Sequence, residues 1–295
     1  MVDRVKTHNK GIQDIQSKYG SICEAIKKSN VLLVLDFVIN ILIDSFSKKC
    51  YKPKNSNYGI LDAVFQRSID QFERYASVAN EIKKVKQKQL SVLDVGAGSK
   101  GISLFSGLFA EKNCDILLLD IGRQFLASKE QTAIGDGCNL PFRNGAFDIV
   151  VSVDVIEHVP KYLRGNLYKE LKRVCKKKLI ITCPLQSDDG IFQGRTYDII
   201  FQSLYERTYG TKEQNTEQHI VSNHPTLKEV NTELPGAIIY GYKNCETWLK
   251  YMLFSSKPLM RFFSGLLYYS FLKRNNYEPP FWGAIIILDL CETFD

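Results

Sequence analysis

A doubly wound α/β fold built on an open parallel sheet is predicted by three features of the chain. Short apolar runs alternate with stretches of helical periodicity between residues 91 and 183. The first run passes directly into a glycine turn, Ser91-Val-Leu-Asp94-Val-Gly96-Ala97-Gly98-Ser-Lys-Gly101. Acids close four successive strands, at Asp94, Asp120, Asp136 and Asp154. In an open parallel sheet such strand tips share one edge, and ligands bind there.

The elements follow in order. The first strand, 91–95, leads into Gly96, Gly98 and Gly101 at G-x-G-x-x-G spacing, and an apolar helical pattern follows at Ile102, Leu104, Phe105, Leu108 and Phe109. By itself this spacing fits a plain strand-to-helix turn as well as a ligand loop. The second strand, 115–120, ends in Asp120, which lies 26 residues after Asp94. A carboxylate at that tip accepts hydrogen bonds from ribose hydroxyls. A third strand near 131–134 precedes Gly135-Asp136-Gly137-Cys138-Asn139-Leu140-Pro141-Phe142. The fourth, 147–153, is apolar enough to be buried on both faces, and it breaks into Asp154 and then Glu157-His158. A helix over 160–175 and a fifth strand over 178–183, ended by Pro184, complete the unit.

Four motifs, in order from Val92 to about Pro184, now carry a resemblance. They are similar to D-x-G-x-G, D-x-x-x-L-P-F and F-D-x-V followed by E-H, as found in class I S-adenosylmethionine-dependent methyltransferases. A nicotinamide oxidoreductase would share the glycines but not the Leu-Pro-Phe or Glu-His segments. The resemblance implies a Rossmann-like seven-stranded sheet of order 3-2-1-4-5-7-6 with β7 antiparallel, the last two strands falling at 237–242 and 283–290. It implies S-adenosylmethionine as cofactor. Gly96, Ala97 and Gly98 would pass beneath it, and Asp94 would meet its amino group directly or through water. Asp120, with Ile121, would hold the ribose. Asp136, Gly137 and Cys138 would hold the adenine, and Asp154 would stand near the methyl group. For Asp154 a helix N-cap is an equal alternative. His158 and His219 are the candidate general bases, because imidazole titrates near neutrality; a structural role is the alternative for each.

The flanks are additions to this sheet. Residues 1–88 read as a helical extension, with helical patterns at 11–28, 31–46 and 60–88. Residues 89–295 form the methyltransferase domain, with a polar and aromatic lid at 185–224 holding a short helix. A second insertion, 246–276, interleaves basic and aromatic residues. It reads either as a helical hairpin packed on the sheet or the N-terminal helices, or as an interfacial segment touching a membrane. Gln218-His219 through Val230 is similar to an E-H-x-x-x-G-L-P-x-x-E-x-L pattern of bacterial methyltransferases associated with surface polysaccharides. Gln218 and Asn223-His224 depart from that pattern.

Composition narrows the function. The 295 residues are 44% hydrophobic and 24% charged, which fits an ordinary globular protein. The net charge of +7 is spread along the chain, and lysine clusters at 83–88 and 172–178 read as solvated helix ends and loop edges. The eight cysteines include no C-x-x-C pair and read as reduced and mostly buried, in a cytoplasmic protein. The histidines and cysteines lack metal-ligand spacing, so no metal site is expected. No secretory signal is apparent, and the apolar run at 31–43 falls short of the ~20 residues that span a bilayer. Methyl transfer to a small-molecule, glycan or lipid-linked acceptor is the expected activity. A non-catalytic protein that binds the cofactor on the same fold is the alternative. No Asn-Pro-Pro-Tyr-like tetrapeptide follows the fourth strand, so nucleic acid is not the expected acceptor. The sequence leaves the oligomeric state open.

Overall fold

Strands β1 (Gln89–Val95), β2 (Asn113–Asp120), β3 (Gln131–Ile134), β4 (Phe147–Val153), β5 (Cys175–Pro184), β6 (Ile238–Asn244) and β7 (Phe281–Asp289) form one sheet in a computed structural model of the chain. Their order is β3-β2-β1-β4-β5-β7-β6, as the resemblance implied. The first five strands pair in parallel; β7 enters antiparallel between β5 and β6. The structure describes residues 13, 15–17, 19, 20, 69–98, 101, 102, 112–122, 131–255 and 276–290. The expected helix at 31–46, most of 11–28, and residues 256–275 of the second insertion lie outside the described residues.

Alternation along the central strands produces two cores. Leu93, Val150 and Ile181 face α2 (Lys161–Val174) and α5 (Leu227–Glu233). Val92, Ile149, Val151 and Ile180 face α1 (Ile69–Lys84), which contributes Val78, Ala79 and Ile82. The isoleucine run of β7 serves both faces, Ile286 toward the first core and Ile285 and Ile287 toward the second, as a strand covered on both sides requires.

The element edges differ from the sequence reading in informative ways. Cys175 takes extended dihedrals immediately after α2, so β5 starts there rather than at 178. Lys177 and Lys178 therefore stand within a strand. They pair with Asp148 at 3.4 Å and with Asp289 at 2.9 Å, so they are not simply solvated loop edges. Arg173 likewise clips the Leu-Pro-Phe loop, donating to the carbonyls of Leu140 at 2.9 Å and Phe142 at 2.6 Å.

The 185–224 region holds two helices in place of the single short one expected. Helix α3 (Gly194–Tyr209) ends at Gly210, whose left-handed φ of 71° lets its N–H reach the Glu206 carbonyl. Helix α4 (Gln214–Ser222) is capped by Glu213, which accepts from Thr216 N at 2.7 Å. Tyr197, Ile200, Phe201 and Leu204 of α3 are buried with Tyr19, Trp282 and several residues of α6 (Cys245–Ser255), in a third apolar cluster.

One buried cation joins this layer to the sheet. Arg164 of α2 is 1% exposed. Its Nε donates to the carbonyls of Ile156 at 3.1 Å and Val159 at 2.9 Å, on the turn that follows β4. Its Nη2 donates to the carbonyls of Ser222, at 2.9 Å, and Asn223, at the end of α4. Arg164→Ala leaves these buried carbonyls unpaired, so stability should fall by about 3 kcal/mol or more. Tm in thermal unfolding should drop by roughly 6 °C or more. An unchanged Tm would mean that water replaces the guanidinium at no cost.

Candidate functional site

The carboxyl ends of β1 to β4 open onto a cavity of about 730 Å³, within the ~300–1,000 Å³ range of small-molecule sites. Gly96, Gly98, Asp120, Ile121, Asp136, Gly137, Cys138 and Asp154 all line it. Gly96 takes φ +77°, and a Cβ there would stand 2.3 Å from Val155 Cγ2, so only glycine fits. The Gly96 and Ala97 amides donate to the Leu119 carbonyl at 2.8 and 3.2 Å, which ties the turn to the end of β2. Asp120 accepts from Gly98 N at 3.0 Å. Asp136 turns back on its own loop and accepts from Cys138 N at 2.9 Å.

Two of the expected cofactor residues are not on the wall. Ala97 is buried in the turn, and Asp94 is fully buried. One Asp94 oxygen accepts from Ile102 N at 2.7 Å, holding the start of the segment beyond the turn. The other has no hydrogen-bond partner among the described residues. Burial, opposed by the Ile102 bond and aided by the nearby Asp120 charge, pushes its pKa up to about 7. Gly101 makes this packing possible, because a Cβ there would lie 2.2 Å from the Asp94 carboxylate.

The far end of the cavity is polar. Asp154 has φ 51°, a conformation that non-glycine residues adopt mainly at functional or strained sites. It does not cap the short 3₁₀ turn Ile156–His158, whose N-cap is Val155. Its carboxylate instead accepts from Thr182 Oγ1 at 2.8 Å and pairs with Arg74 at 2.6 Å. His158 lines the cavity with Asn215 and Gln218 of α4. His219 does not line it; its ring lies behind that of His158, with centroids 4.7 Å apart.

Behind His219 stands a residue that the sequence reading missed. Asp198 of α3 is fully buried and accepts from His219 Nδ1 at 2.9 Å, His224 Nε2 at 2.9 Å and Trp282 Nε1 at 2.6 Å. Burial disfavours its charge, but the two histidine bonds outweigh that and hold its pKa below the usual carboxylate value. Burial likewise opposes the His219 cation, yet Asp198, then Glu157 and Asp154, raise it to about 9. His158 moves the other way, to about 4, through partial burial and the neighbouring His219 charge. Of the two candidate bases, only His158 is neutral at pH 7, and it is a weak one. The signal for Asp198 was a lone acid among Tyr197, Ile199 and Ile200, on a helix otherwise expected to be a surface lid.

A family model described as a methyltransferase domain matches residues 93–182, the stretch that holds every lining residue of the cavity except Asn215 and Gln218. Residues 93–182 thus carry a methyltransferase domain. Norajmaline N-methyltransferase of Rauvolfia serpentina is 29% identical over 122 residues, covering 38% of this chain and 40% of that protein. Chloroplastic tocopherol O-methyltransferase of Arabidopsis thaliana is 32% identical over 118 residues, covering 37% of this chain and 33% of that protein. The chain thus matches less than half the length of these two relatives. A crystal structure of a SAM-dependent methyltransferase from Archaeoglobus fulgidus is similar over 80% of this chain and 100% of that one, at 16% identity and a TM-score of 0.47. S-adenosylmethionine is the cofactor of the domain, and the cavity fits it. The glycine turn leaves close backbone approach, two strand-tip acids line the space, and under the turn lies an Asp94 oxygen with no partner among the described residues.

Asp94 generates a pH prediction for the methyltransferase domain. Its folded-state pKa, about 7, lies above the ordinary aspartate value of 3.8. The folded state therefore holds this proton more tightly than the unfolded state. The resulting stabilisation is present below about pH 4 and is lost as pH rises to about 7. Thermal unfolding of Asp94→Asn should lack that component, so the Tm difference, parent minus variant, should shrink over this interval. A flat difference would show that Asp94 ionises as an ordinary surface acid.

Proposed function

We propose that the chain transfers the methyl group of S-adenosylmethionine to an oxygen or nitrogen of a small-molecule acceptor. One observation carries this reading: Asp120 and Asp136, at neighbouring strand ends, line the same cavity as the Gly96–Gly98 turn, together with the polar side chains of Asp154, His158, Asn215 and Gln218. When bound, the cofactor supplies a methyl group already activated on a sulfonium. Asp120 would accept from the ribose hydroxyls and Asp136 from the adenine amino group. The Gly96–Gly98 backbone would face the methionine part. Asp154, fixed by Thr182 and Arg74, with His158, Asn215 and Gln218, would orient the acceptor beside the methyl group. Holding acceptor and donor in line removes most of the entropic barrier, so the protein's task is alignment and exclusion of water. The two relatives are named for N-methylation of norajmaline and O-methylation of tocopherol, which supports small acceptors. The likeness of 218–230 to the polysaccharide-associated pattern adds glycan-linked and lipid-linked acceptors to the panel worth assaying.

Calorimetry with S-adenosylhomocysteine should show one site, and NAD should show none. Asp120→Ala removes charge-assisted hydrogen bonds worth ~1.5–3 kcal/mol, so affinity should fall at least about tenfold in a variant that still unfolds cooperatively. An unchanged Kd would displace Asp120 from the ribose role. Absence of binding to the folded parent would overturn the reading itself.

A further inference from the structure

At the acceptor end, Glu157 is 0% exposed, and neither of its carboxylate oxygens has a hydrogen-bond partner among the described residues. A buried, unpaired carboxylate is costly, and a chain that keeps one requires an explanation. His219 Nε2 lies 4.0 Å from Glu157 Oε1, beyond hydrogen-bonding distance. One ligand atom each from Glu157, His158 and His219 lies within 4.8 Å of the other two. His219 is held with a defined nitrogen facing this gap, because its Nδ1 is engaged by Asp198 at 2.9 Å, and an ion bound at Nε2 would displace the proton there to solvent. A carboxylate behind a histidine fixes the tautomer and aims Nε2, the usual arrangement behind a metal-bound imidazole. Asp198 is itself immobilised by His224 and Trp282. Arg164 clips the Ile156–Val159 turn to the end of α4, bringing all three groups together from segments remote in sequence.

We propose that Glu157, His158 and His219 bind a divalent transition-metal cation at the acceptor end of the cavity. Two imidazoles and one carboxylate suit first-row ions such as Zn²⁺, Mn²⁺ or Co²⁺ better than Mg²⁺ or Ca²⁺, which favour all-oxygen shells. Ligands about 2.1 Å from such an ion lie roughly 3.4 Å apart in a tetrahedral shell, so Glu157 has about half an ångström to close on His219. The neighbouring set Asp198, His219 and His224 is also compact. Its atoms are already paired at 2.9 Å, however, which makes it the support behind the site rather than a second one. Three protein ligands leave positions open, and His158 places them on the cavity side. An acceptor oxygen bound there would lose its proton to solvent more readily before taking the methyl group. That use of the ion rests on the methyl-transfer reading; the site itself does not. The sequence reading expected no metal because the histidines and cysteines lack metal-ligand spacing; only the fold brings His219 to Glu157 and His158.

The test uses the full chain without a polyhistidine tag, stripped with chelator and titrated with Zn²⁺, Mn²⁺ or Co²⁺ by calorimetry, with the Co²⁺ visible spectrum as a second readout. One equivalent should bind at micromolar Kd or tighter. Glu157→Gln and His158→Gln should each weaken binding at least about tenfold, and Asp198→Asn by about 10–100-fold. Binding weaker than millimolar by the folded parent would overturn the proposal, as would parent-like affinity in the His158→Gln variant, whose exposed side chain makes misfolding an unlikely confounder. S-adenosylhomocysteine titrated into the same samples separates the two readings. Cofactor binding without metal binding removes only the metal site, and metal binding without cofactor binding removes only the methyl-transfer reading.

Discussion

A carboxylate shut away from water has to be surrounded by donors, and the acceptor half of this protein is organised around one such group. Asp198 takes hydrogen bonds from His219 on α4, His224 in the loop beyond it and Trp282 on β7. Three segments that share no local sequence thereby converge on a single point. The charge is tolerated because each oxygen is matched by a donor; a half-satisfied network here would be worse than an apolar core. Trp282 adds a second restraint, since its ring stacks on Trp248 at 5.0 Å and lies under Lys243 Nζ at 4.6 Å. The orientation of His219 therefore depends on the packing of an entire aromatic layer.

The cofactor half depends on different physics. There the backbone does most of the positioning: glycines at positive φ, amides tied to the Leu119 carbonyl, and Asp94 holding Ile102 N from below. The two halves meet at the end of β4, where Asp154 carries its strain at φ 51° and is held by Thr182 and Arg74. Strain at a junction of this kind persists only where neighbours over-determine it.

The sheet was legible because its signals are local. Buried parallel strands are short apolar runs, turns need glycine, and strand tips need polar ends, so β4 fell at 147–153 in the sequence and in the structure alike. Eight of the ten expected cofactor residues reached the cavity for the same reason; Asp94 and Ala97 instead support the turn from inside. The acceptor end was much less legible. Asp198 and Trp282 bond to partners 21 to 84 positions away, and Arg164 reaches Ser222 58 positions on; no periodicity records such pairings. Glu157-His158 was visible as a motif, but its meaning depends on His219 arriving from a helix that had been read as part of a surface lid.

The position of β7 has a consequence for the order of assembly. This strand inserts between β5 and β6, both of which precede it in the chain, and it delivers Trp282 to Asp198. During synthesis β1 to β5 can pair with one another before β7 emerges, since none of their mutual pairings includes it. The Asp198 network lacks one of its three donors until residues near 282 have been made and have found the gap between two strands already present. The Asp198 network is therefore complete only once β7 has been made and placed between β5 and β6.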